Sequence, residues 1–372
     1  MSNNYNSFDS SFMRHALAIA NMAVGTTAPN PAVGCVIIKN GKILAASHTA
    51  KGGRPHAETI ALLEAGSAAN GATAYVTLEP CAHHGQTPPC ATSLINAGIK
   101  RVVIACTDPF PEVNGKGIKI LQDAGIEVIT GICENEAKQQ NEGFFSVQQK
   151  NRPFITLKTA TSMDGKIALK NGVSKWITCE SSRNYVHLMR ARHDAVITGI
   201  KTVIADDPAL TCRLPGMENR SPTRVVLDSN LNLPVTSQLA KTAREIPCLL
   251  LTIAKTIENQ TVKILELEKL GVRIIAVNTA SNGKICMEDA FAQLAKSGVN
   301  SAMIEAGGTI NTAALNLGLV DRLAWFRAPI IIGNDGIAAI NDMNLQNIIH
   351  NGFKLSHTRC FGTDTLEVFD KS

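Results

Sequence analysis

Two short stretches decide how the first half of this chain folds and what it can bind: PHAE at residues 55–58 and TLEPCAHHGQTPPC at residues 77–90. Together they offer one imidazole, His56, two thiols, Cys81 and Cys90, and a carboxylate two residues after the histidine, Glu58. One histidine and two cysteines suit tetrahedral zinc and leave its fourth position open, where the metal ionises water near neutral pH. We therefore predict a zinc ion held by His56, Cys81 and Cys90, with Glu58 beside it.

The spacing of these residues favours a catalytic zinc ion over a structural one. A His-x-Glu sequence followed by Pro-Cys and a second cysteine is the zinc-deaminase signature, in which the glutamate carries protons and is not a ligand. A structural site would be closed by a fourth cysteine or histidine at short spacing, and only His83 and His84 could serve. Unpaired cysteines without a metal are the remaining alternative. We predict that Glu58 is catalytic.

Length and composition indicate a globular protein of two domains. The 372 residues are 45% hydrophobic and 18% charged, and the net charge is +5. No block of basic residues suggests a nucleic-acid surface, and no apolar run reaches the roughly eighteen residues that a membrane helix needs. The N-terminus lacks a secretory signal, and the ten cysteines show no disulfide framework. We therefore expect a cytoplasmic protein with no nucleic-acid or membrane partner.

The first half of the chain alternates helix and strand patterns. Asp9 or Ser10 is expected to cap the first helix, and Asn40-Gly41 to join two strands in a hairpin. Further helices are expected at about 56–65, from Cys90 onwards and at about 133–150, with short strands between them. This order of elements predicts a three-layer α/β domain over residues 1–150.

The second half, residues 151–372, alternates again and is predicted to be a separate α/β domain. Strands are expected near residues 154–160, 194–199, 223–228, 247–252, 272–277, 301–305 and 321–331. In SAMIEAGGTINTAAL, at 301–315, a strand ends at Glu305 and two glycines lead into an Ala-rich helix. Glycines there let a phosphate approach the free N–H groups of a helix start. A Gly-Gly pair alone is weak evidence, and it is not the G-x-G-x-x-G fingerprint.

Longer strings of this sequence resemble one known family. The TLEPC…TPPC segment is similar to the deaminase half of the bifunctional riboflavin-biosynthesis deaminase/reductase family. The strings LKTATSMDGKIA (157–168), SKWIT (174–178), LMRARHDAVITGIKTVIADDPALTCR (188–213) and VVLDS (225–229) resemble its reductase half in the same order. The resemblance implies a cytidine-deaminase-like N-terminal domain and a dihydrofolate-reductase-like C-terminal domain that uses NADPH.

The same resemblance implies which residues bind NADPH and substrate. For NADPH they are Ala160, Trp176, Thr202, Asp206, Ser229 and the segment Gly307, Gly308, Thr309, Ile310, Asn311, Thr312 and Ala313. For the phosphoribosyl substrate they are Asn30 in the deaminase half and Ser174, Arg190, Leu210, Arg213 and Glu305 in the reductase half; Lys158 is added on its chemistry. The planar forks of Arg190 and Arg213 suit a phosphate, and Lys158 suits the sugar. Without the resemblance, the charged residues would be taken as surface ion pairs, and Trp176 could equally be a core aromatic.

Four further residues leave alternatives open. His48 and His83 can reach polar groups of the substrate, although His48 can equally be a surface residue at a strand end. The family usually has lysine or arginine where this chain has Gln86. The charge facing the phosphate of the deaminase substrate is therefore either lost or supplied by Arg54.

The resemblance implies two consecutive reactions on phosphoribosylaminopyrimidine substrates. Zinc-bound hydroxide would deaminate 2,5-diamino-6-(5-phosphoribosylamino)pyrimidin-4(3H)-one while Glu58 moves the protons, and NADPH would then reduce the ribosyl group to ribityl. One alternative is a deaminase of nucleic-acid bases, which the 4% aromatic content and the absence of a basic stripe argue against. Another is a deaminase whose C-terminal domain only binds. We also expect a homo-oligomer.

Overall fold

The computed structural model describes residues 7–82, 88–111, 113–343 and 352–372, so His83, His84 and Gln86 lie outside the described residues. The chain divides into two compact units, Met1–Asn151 and Arg152–Ser372. Each unit has its own main sheet and its own buried apolar core. Within the described ranges, no helix is both long enough and apolar enough to cross a membrane.

The first unit is built around a five-stranded sheet. Its strands are β1 (Gly34–Lys39), β2 (Lys42–His48), β3 (Thr73–Val76), β4 (Arg101–Ile104) and β5 (Glu127–Thr130). Its helices are α1 (Ser7–Asn21), α2 (Ala57–Ala65), α3 (Cys90–Asn96), α4 (Lys116–Asp123), α5 (Glu134–Gln140) and α6 (Glu142–Lys150). The strand order is β2-β1-β3-β4-β5, in which β3, β4 and β5 are parallel and β1 runs antiparallel to both of its neighbours.

Local sequence explains the hairpin and the central strands of this sheet. Asn40 (φ 51°) and Gly41 (φ 74°) both adopt the left-handed backbone that a two-residue hairpin turn requires. Nearly every residue of β1, β3 and β4 is buried, so both faces of the sheet are covered. The predicted α/β class of this unit is confirmed.

The predicted cap of the first helix was wrong. Helix α1 already includes Ser7, so Asp9 and Ser10 lie inside it. The Asp9 carboxylate accepts hydrogen bonds from the Arg101 guanidinium, at 2.9 and 2.8 Å, and from the Tyr75 hydroxyl, at 2.7 Å. Asp9 therefore ties the helix to β3 and β4, and the sequence around it contains no sign of these distant partners.

The single helix predicted at about 133–150 is two helices, α5 and α6, divided at Asn141. The side-chain oxygen of Asn141 accepts the N–H of Ala32 at 2.8 Å, and its amide nitrogen donates to the Ala32 carbonyl at 3.0 Å. An asparagine that pairs with a distant backbone segment favours a break over a continuous helix.

The second unit is built around a nine-stranded sheet. The strands of this unit are β6 (Phe154–Thr161), β7 (Lys166–Ala168), β8 (Ala195–Gly199), β9 (Thr223–Leu227), β10 (Cys248–Ile253), β11 (Val272–Val277), β12 (Ser301–Ile304), β13 (Arg322–Arg327), β14 (Ile337–Ala338), β15 (Phe353–Phe361) and β16 (Asp364–Lys371). Of these, β7 and β14 pair in a separate two-stranded sheet, and the other nine form the main sheet. Its helices are α7 (Glu180–Ala191), α8 (Ile200–Asp206), α9 (Gln238–Lys241), α10 (Ala254–Asn259), α11 (Thr261–Lys269), α12 (Met287–Lys296) and α13 (Gly308–Asn316).

The strand order of this sheet brings the predicted reductase residues close together. The strand order is β11-β10-β9-β8-β12-β6-β13-β16-β15; neighbours are parallel from β11 to β13, and β16 and β15 are antiparallel. Ligands of parallel sheets bind beyond the carboxyl ends of the strands. Because β12 lies between β8 and β6, the residues that follow Ile304 lie beside those two strands.

The end of the chain differs from the prediction. The strand expected at 321–331 ends at Arg327, because Pro329 cannot donate a hydrogen bond to a strand ladder. The hairpin β15–β16 was not predicted. Side chains from Lys354 to Cys360 are exposed on both faces of β15, so the strand lacks the alternation of apolar and polar residues that sequence patterns detect.

Candidate functional site

The three predicted zinc ligands lie together in the first unit. His56 occupies the N-cap position of α2, Cys81 lies between β3 and α3, and Cys90 is the first residue of α3. His56 Nδ1 is 3.3 Å from Cys90 Sγ and 3.7 Å from Cys81 Sγ. No other group of three histidine, cysteine or acidic side chains in the described ranges has metal-binding geometry.

These distances fit a zinc ion. Zn–S bonds of about 2.3 Å and Zn–N bonds of about 2.0–2.1 Å, meeting at the tetrahedral angle, separate sulfur from nitrogen by about 3.6 Å. The two measured separations lie on either side of that value. Three protein ligands leave one position for a water or substrate atom, as a catalytic site requires.

The charges of the two sulfur atoms also call for a cation. The backbone N–H of Cys90 donates to Cys81 Sγ at 3.2 Å. Hydrogen bonding from the Cys90 thiol lowers the pKa of Cys81 to about 4, and the neighbouring Cys81 sulfur together with burial raises the pKa of Cys90. Two adjacent thiolates are therefore stable together only when a positive ion lies between them.

Glu58 lies in the first turn of α2 and is 4% exposed. Burial raises its pKa to about 7, and its side chain interacts with the Cys90 thiol. A buried carboxyl group whose pKa is near neutrality can both accept and return a proton. The structure thus brings Glu58 next to the predicted ligand cluster.

Asn30 and His48, the other described residues expected near the deaminase substrate, both bind the backbone. Asn30 Nδ2 donates to the Gly53 carbonyl at 2.8 Å, which fixes the turn before Arg54. Gly53 (φ 86°) leaves no space for a side chain, because a Cβ there would lie 2.6 Å from Asn30 Nδ2. His48 Nδ1 bonds to the Thr49 carbonyl at 2.9 Å.

Glu79, inside the TLEPC motif, was missed as a positioning residue. Its two oxygens accept backbone N–H groups of Asp108, Gly115, Gly117 and Ile118 at 2.9–3.3 Å, so one buried carboxylate shapes the loop between β4 and α4. A charged residue directly before the Pro-Cys pair was a usable signal, because buried carboxylates need several donors.

In the second unit, Lys158, Arg190 and Glu305 form one buried ion cluster. Glu305 accepts hydrogen bonds from Arg190 Nε at 2.7 Å and Nη2 at 3.1 Å, and from Lys158 Nζ at 3.3 Å. Burial acts to raise the pKa of Glu305, but the charges of Arg190 and Lys158 outweigh it and lower that pKa to about 2. The fork of Arg190, which was expected to bind phosphate, is thus occupied by a carboxylate.

Arg213 and Leu210 lie on the segment after α8. Arg213 is exposed, and its Nη1 is 3.4 Å from Thr211 Oγ1. Leu210 is buried with φ 53°, an unusual conformation for a branched side chain. Ser174 is half-buried, and its carbonyl accepts the N–H of Ile177 at 3.1 Å.

The two glycines before α13 differ in their surroundings. A Cβ on Gly307 would meet nothing within 4 Å, whereas one on Gly308 would lie 2.6 Å from Asn341 Oδ1 and 2.8 Å from the Ala338 carbonyl. Asn311 Oδ1 is buried and has no hydrogen-bond partner among the described residues. Open space at a helix start fits the phosphate of a cofactor such as NADPH, whereas the unsatisfied amide oxygen requires a donor, such as a hydroxyl or amide N–H group of the same cofactor.

The rest of this segment and the other residues expected near NADPH have varied surroundings. Thr309 is exposed, Thr312 Oγ1 accepts the N–H of Asn341 at 2.7 Å, and Ile310 and Ala313 pack against the core. Ala160 packs beside Phe326, Thr202 and Asp206 lie on α8, and Ser229 Oγ accepts the N–H of Ile285 at 3.3 Å. Trp176 is 68% exposed with Arg183 4.4 Å above its ring, so the alternative of a core aromatic was wrong.

Comparisons with known proteins agree with this arrangement. A family model described as the RibD C-terminal domain matches residues 153–366, and one described as the cytidine and deoxycytidylate deaminase zinc-binding region matches residues 6–106. The riboflavin biosynthesis protein RibD of Aquifex aeolicus is 41% identical over 340 residues, which cover 91% of this chain and 92% of that protein. RibD of Actinobacillus pleuropneumoniae is 40% identical, with 96% and 94% covered. The chain belongs to the RibD family.

Solved structures agree over the whole length. Acinetobacter baumannii RibD, form 1, superposes with a TM-score of 0.87 at 38% identity and covers 98% of this chain and 99% of its own. The Thermotoga maritima diaminohydroxyphosphoribosylaminopyrimidine deaminase/5-amino-6-(5-phosphoribosylamino)uracil reductase gives 0.85 at 33% identity, with 98% and 99% covered.

Membership of the RibD family confirms the predicted class of enzyme. The chain is a bifunctional enzyme of riboflavin biosynthesis that combines a cytidine-deaminase-like, zinc-dependent deaminase with a dihydrofolate-reductase-like reductase that uses NADPH. A C-terminal unit that only binds is not favoured, because the RibD C-terminal model matches nearly all of that unit.

Proposed function

We propose that residues 1–150 deaminate 2,5-diamino-6-(5-phosphoribosylamino)pyrimidin-4(3H)-one and that residues 151–372 reduce the ribosyl group of the product. The observation that carries this proposal is the cluster of His56, Cys81 and Cys90 with Glu58 buried beside it. It occurs in the same chain as the ion cluster around Glu305, and the Thermotoga relative carries both activities in its name.

In the deaminase, His56, Cys81 and Cys90 would hold zinc, which when bound acts as a Lewis acid toward water. Glu58 accepts a proton from the attacking water and delivers it to the departing amine. A carbon–oxygen bond forms, the carbon–nitrogen bond breaks, and ammonia leaves. Burial raises the pKa of Glu58, which suits a group that first accepts and then returns a proton.

In the reductase, NADPH supplies the hydride, and we place its phosphates at the helix start after Gly307. Lys158 lies at the ion cluster, where its ammonium can hydrogen-bond the sugar oxygen and donate the proton that completes reduction. Glu305 fixes the positions of Lys158 and Arg190 through three hydrogen bonds. Because Glu305 occupies the guanidinium of Arg190, Arg213 is left to bind the substrate phosphate.

The charges around Glu305 support a phosphorylated substrate. Lys158, Arg190 and Arg213 contribute three positive charges against one negative charge from Glu305, so the group carries an excess of two. Coulomb interaction with Arg190 lowers the pKa of Arg213 further than burial alone. A phosphate dianion would neutralise this excess.

Two broader proposals concern location and assembly. All ten cysteines are free thiols, which supports a reducing, cytoplasmic location. The exposed edge strand β15 supports a homo-oligomer, since long unpaired edges are usually covered. Light scattering of the purified protein would measure the assembly.

Glu58→Gln tests the proposed deaminase. It should lower ammonia release by about two to four powers of ten, because a general acid–base is lost, while the zinc content and NADPH-dependent reduction stay at wild-type levels. Glu64→Gln is the matched control, an exposed glutamate on the same helix whose carboxylate bonds to Ser47. Normal ammonia release by the Glu58 variant, or loss of its zinc, would overturn the assigned role.

A further inference from the structure

His187 and Arg190, on α7, bind the same backbone carbonyl, that of Thr211. His187 Nδ1 lies 2.9 Å and Arg190 Nη1 lies 3.0 Å from the Thr211 oxygen. Residues three positions apart share one face of a helix, so both side chains reach the same segment. Because a carbonyl oxygen only accepts, His187 carries its proton on Nδ1. We call these two side chains and the Thr211 carbonyl the carbonyl clamp.

The carbonyl clamp holds a strained segment of backbone. Leu210, directly before Thr211, has φ 53°, and its side chain is 5% exposed in the core beside Val203 and Met303. A branched residue stays in the left-handed region only where its surroundings enforce it, and such strain concentrates at ligand sites. Leu210 packing on one side and the carbonyl clamp on the other therefore determine the path of the chain.

The path of this backbone sets the position of Arg213. Arg213 is two residues beyond Thr211, and its Nη1 approaches Thr211 Oγ1 at 3.4 Å. An exposed arginine has many rotamers, so a fixed backbone is the main means by which it can be directed. Arg190 also binds Glu305, through its Nε and Nη2 atoms.

We propose that His187 is a positioning residue of the reductase: its hydrogen bond to the Thr211 carbonyl fixes the turn that directs Arg213 at the substrate phosphate. This rests on the proposed function, which gives Arg213 that phosphate. Burial and the charge of Arg190 lower the pKa of His187. A histidine that is neutral at pH 7 adds no charge of its own to phosphate binding, so its effect must pass through Arg213.

The test compares His187→Leu, which cannot donate, with His187→Asn, whose amide nitrogen can take the place of Nδ1. The Leu variant should raise KM for 5-amino-6-(5-phosphoribosylamino)uracil roughly two- to tenfold, the size of one neutral hydrogen bond, with kcat and the KM for NADPH unchanged. The Asn variant should return KM to the wild-type value. His187→Gln, whose amide reaches the Nε2 position instead, is a second disruptive variant should the Leu protein not fold.

A double-mutant cycle with Arg213→Ala separates positioning from a general structural role. Arg213→Ala should raise the same KM by about one to two powers of ten, and adding His187→Leu should raise it no further, because the residue that His187 acts through is gone. Additive effects, a lowered kcat, or no rescue by Asn would overturn the proposal. Calorimetric titration of this substrate without NADPH measures the same differences in binding. If the wild type binds this substrate but does not reduce it, the proposed function is wrong. The effect of His187→Leu on substrate binding still decides whether His187 positions Arg213.

Discussion

The zinc cluster and the Glu305 cluster differ in how far apart their residues lie in the sequence. His56 and Cys90 are 34 positions apart, whereas Lys158 and Glu305 are 147 apart. The zinc ligands are residue types that few other roles require, and they occur within two short motifs. The reductase residues are common charged residues that the nine-stranded sheet brings together.

The two clusters also differ in what balances their charges. In the zinc cluster two sulfur atoms compete for one proton, and only an added cation lets both ionise. In the reductase cluster, the positive charges of Arg190 and Lys158 already outweigh the negative charge of Glu305 within the protein. Replacing a zinc ligand should therefore lower the deaminase activity alone, whereas replacing Glu305 should also lower the stability of the folded protein.

Cys81→Ser should have the largest effect. It removes a thiolate ligand, so the zinc content and ammonia release should both fall to background, while NADPH-dependent reduction of 5-amino-6-(5-phosphoribosylamino)uracil continues at nearly the wild-type rate. Metal analysis and the two activity assays on one preparation measure this.

Cys133→Ser is the matched control for Cys81→Ser, since Cys133 is a half-buried free thiol outside the ligand cluster. It should keep its zinc and both activities. Comparable loss of reduction in a folded Cys81→Ser protein would show that the two clusters depend on each other.

Glu305→Gln should have the next largest effect, on stability. It leaves Arg190 and Lys158 buried without their anion, which should lower the free energy of unfolding by about 3 kcal/mol at pH 7. Urea denaturation of the full chain measures this. Glu258→Gln, an exposed glutamate on α10, is the control and should change little.

The loss caused by Glu305→Gln should depend on pH in a defined direction. The folded protein holds the pKa of Glu305 at about 2, below its ordinary value of 4.5, so the carboxylate stabilises the fold fully above pH 4.5. The difference between wild type and variant should therefore be constant from pH 7 to about 5 and shrink as the pH falls from 4.5 toward 2. A difference that grows on acidification would contradict the ion cluster.

The sequence alone was sufficient to predict the parts of the fold that local sequence patterns encode. The hairpin at Asn40-Gly41, the helix starts near His56 and Cys90, and most strands of both units follow from turn chemistry, the prolines before Cys90 and apolar runs. The zinc ligands were identifiable for the same reason, since their spacing is short and their residue types are specific. The resemblance to known motifs supplied the expected reductase residues.

The partners of those reductase residues could not be predicted, because they depend on tertiary structure. Nothing near Arg190 in the sequence indicates that Glu305 occupies its guanidinium, and nothing near Glu79 indicates four backbone donors. The hairpin β15–β16 was missed because its outer strand has no buried face. Contacts between polar residues that are far apart in the sequence leave no periodic pattern in it, so only the folded structure reveals them.

The two glycines before α13 provide the last and smallest test, because they distinguish space kept for a ligand from space required by the fold. Gly307→Ala should leave stability unchanged, since a Cβ there meets no protein atom and its φ of −82° suits alanine. If NADPH phosphate lies in that space, the KM for NADPH should rise roughly tenfold, the loss of one charge-assisted contact. Gly308→Ala should instead lower stability by about 1–3 kcal/mol, because its Cβ would overlap the Ala338 carbonyl. An unchanged KM for NADPH in a stable Gly307 variant would move the cofactor phosphates away from this turn, and the open space at Gly307 would then have no ligand to explain it.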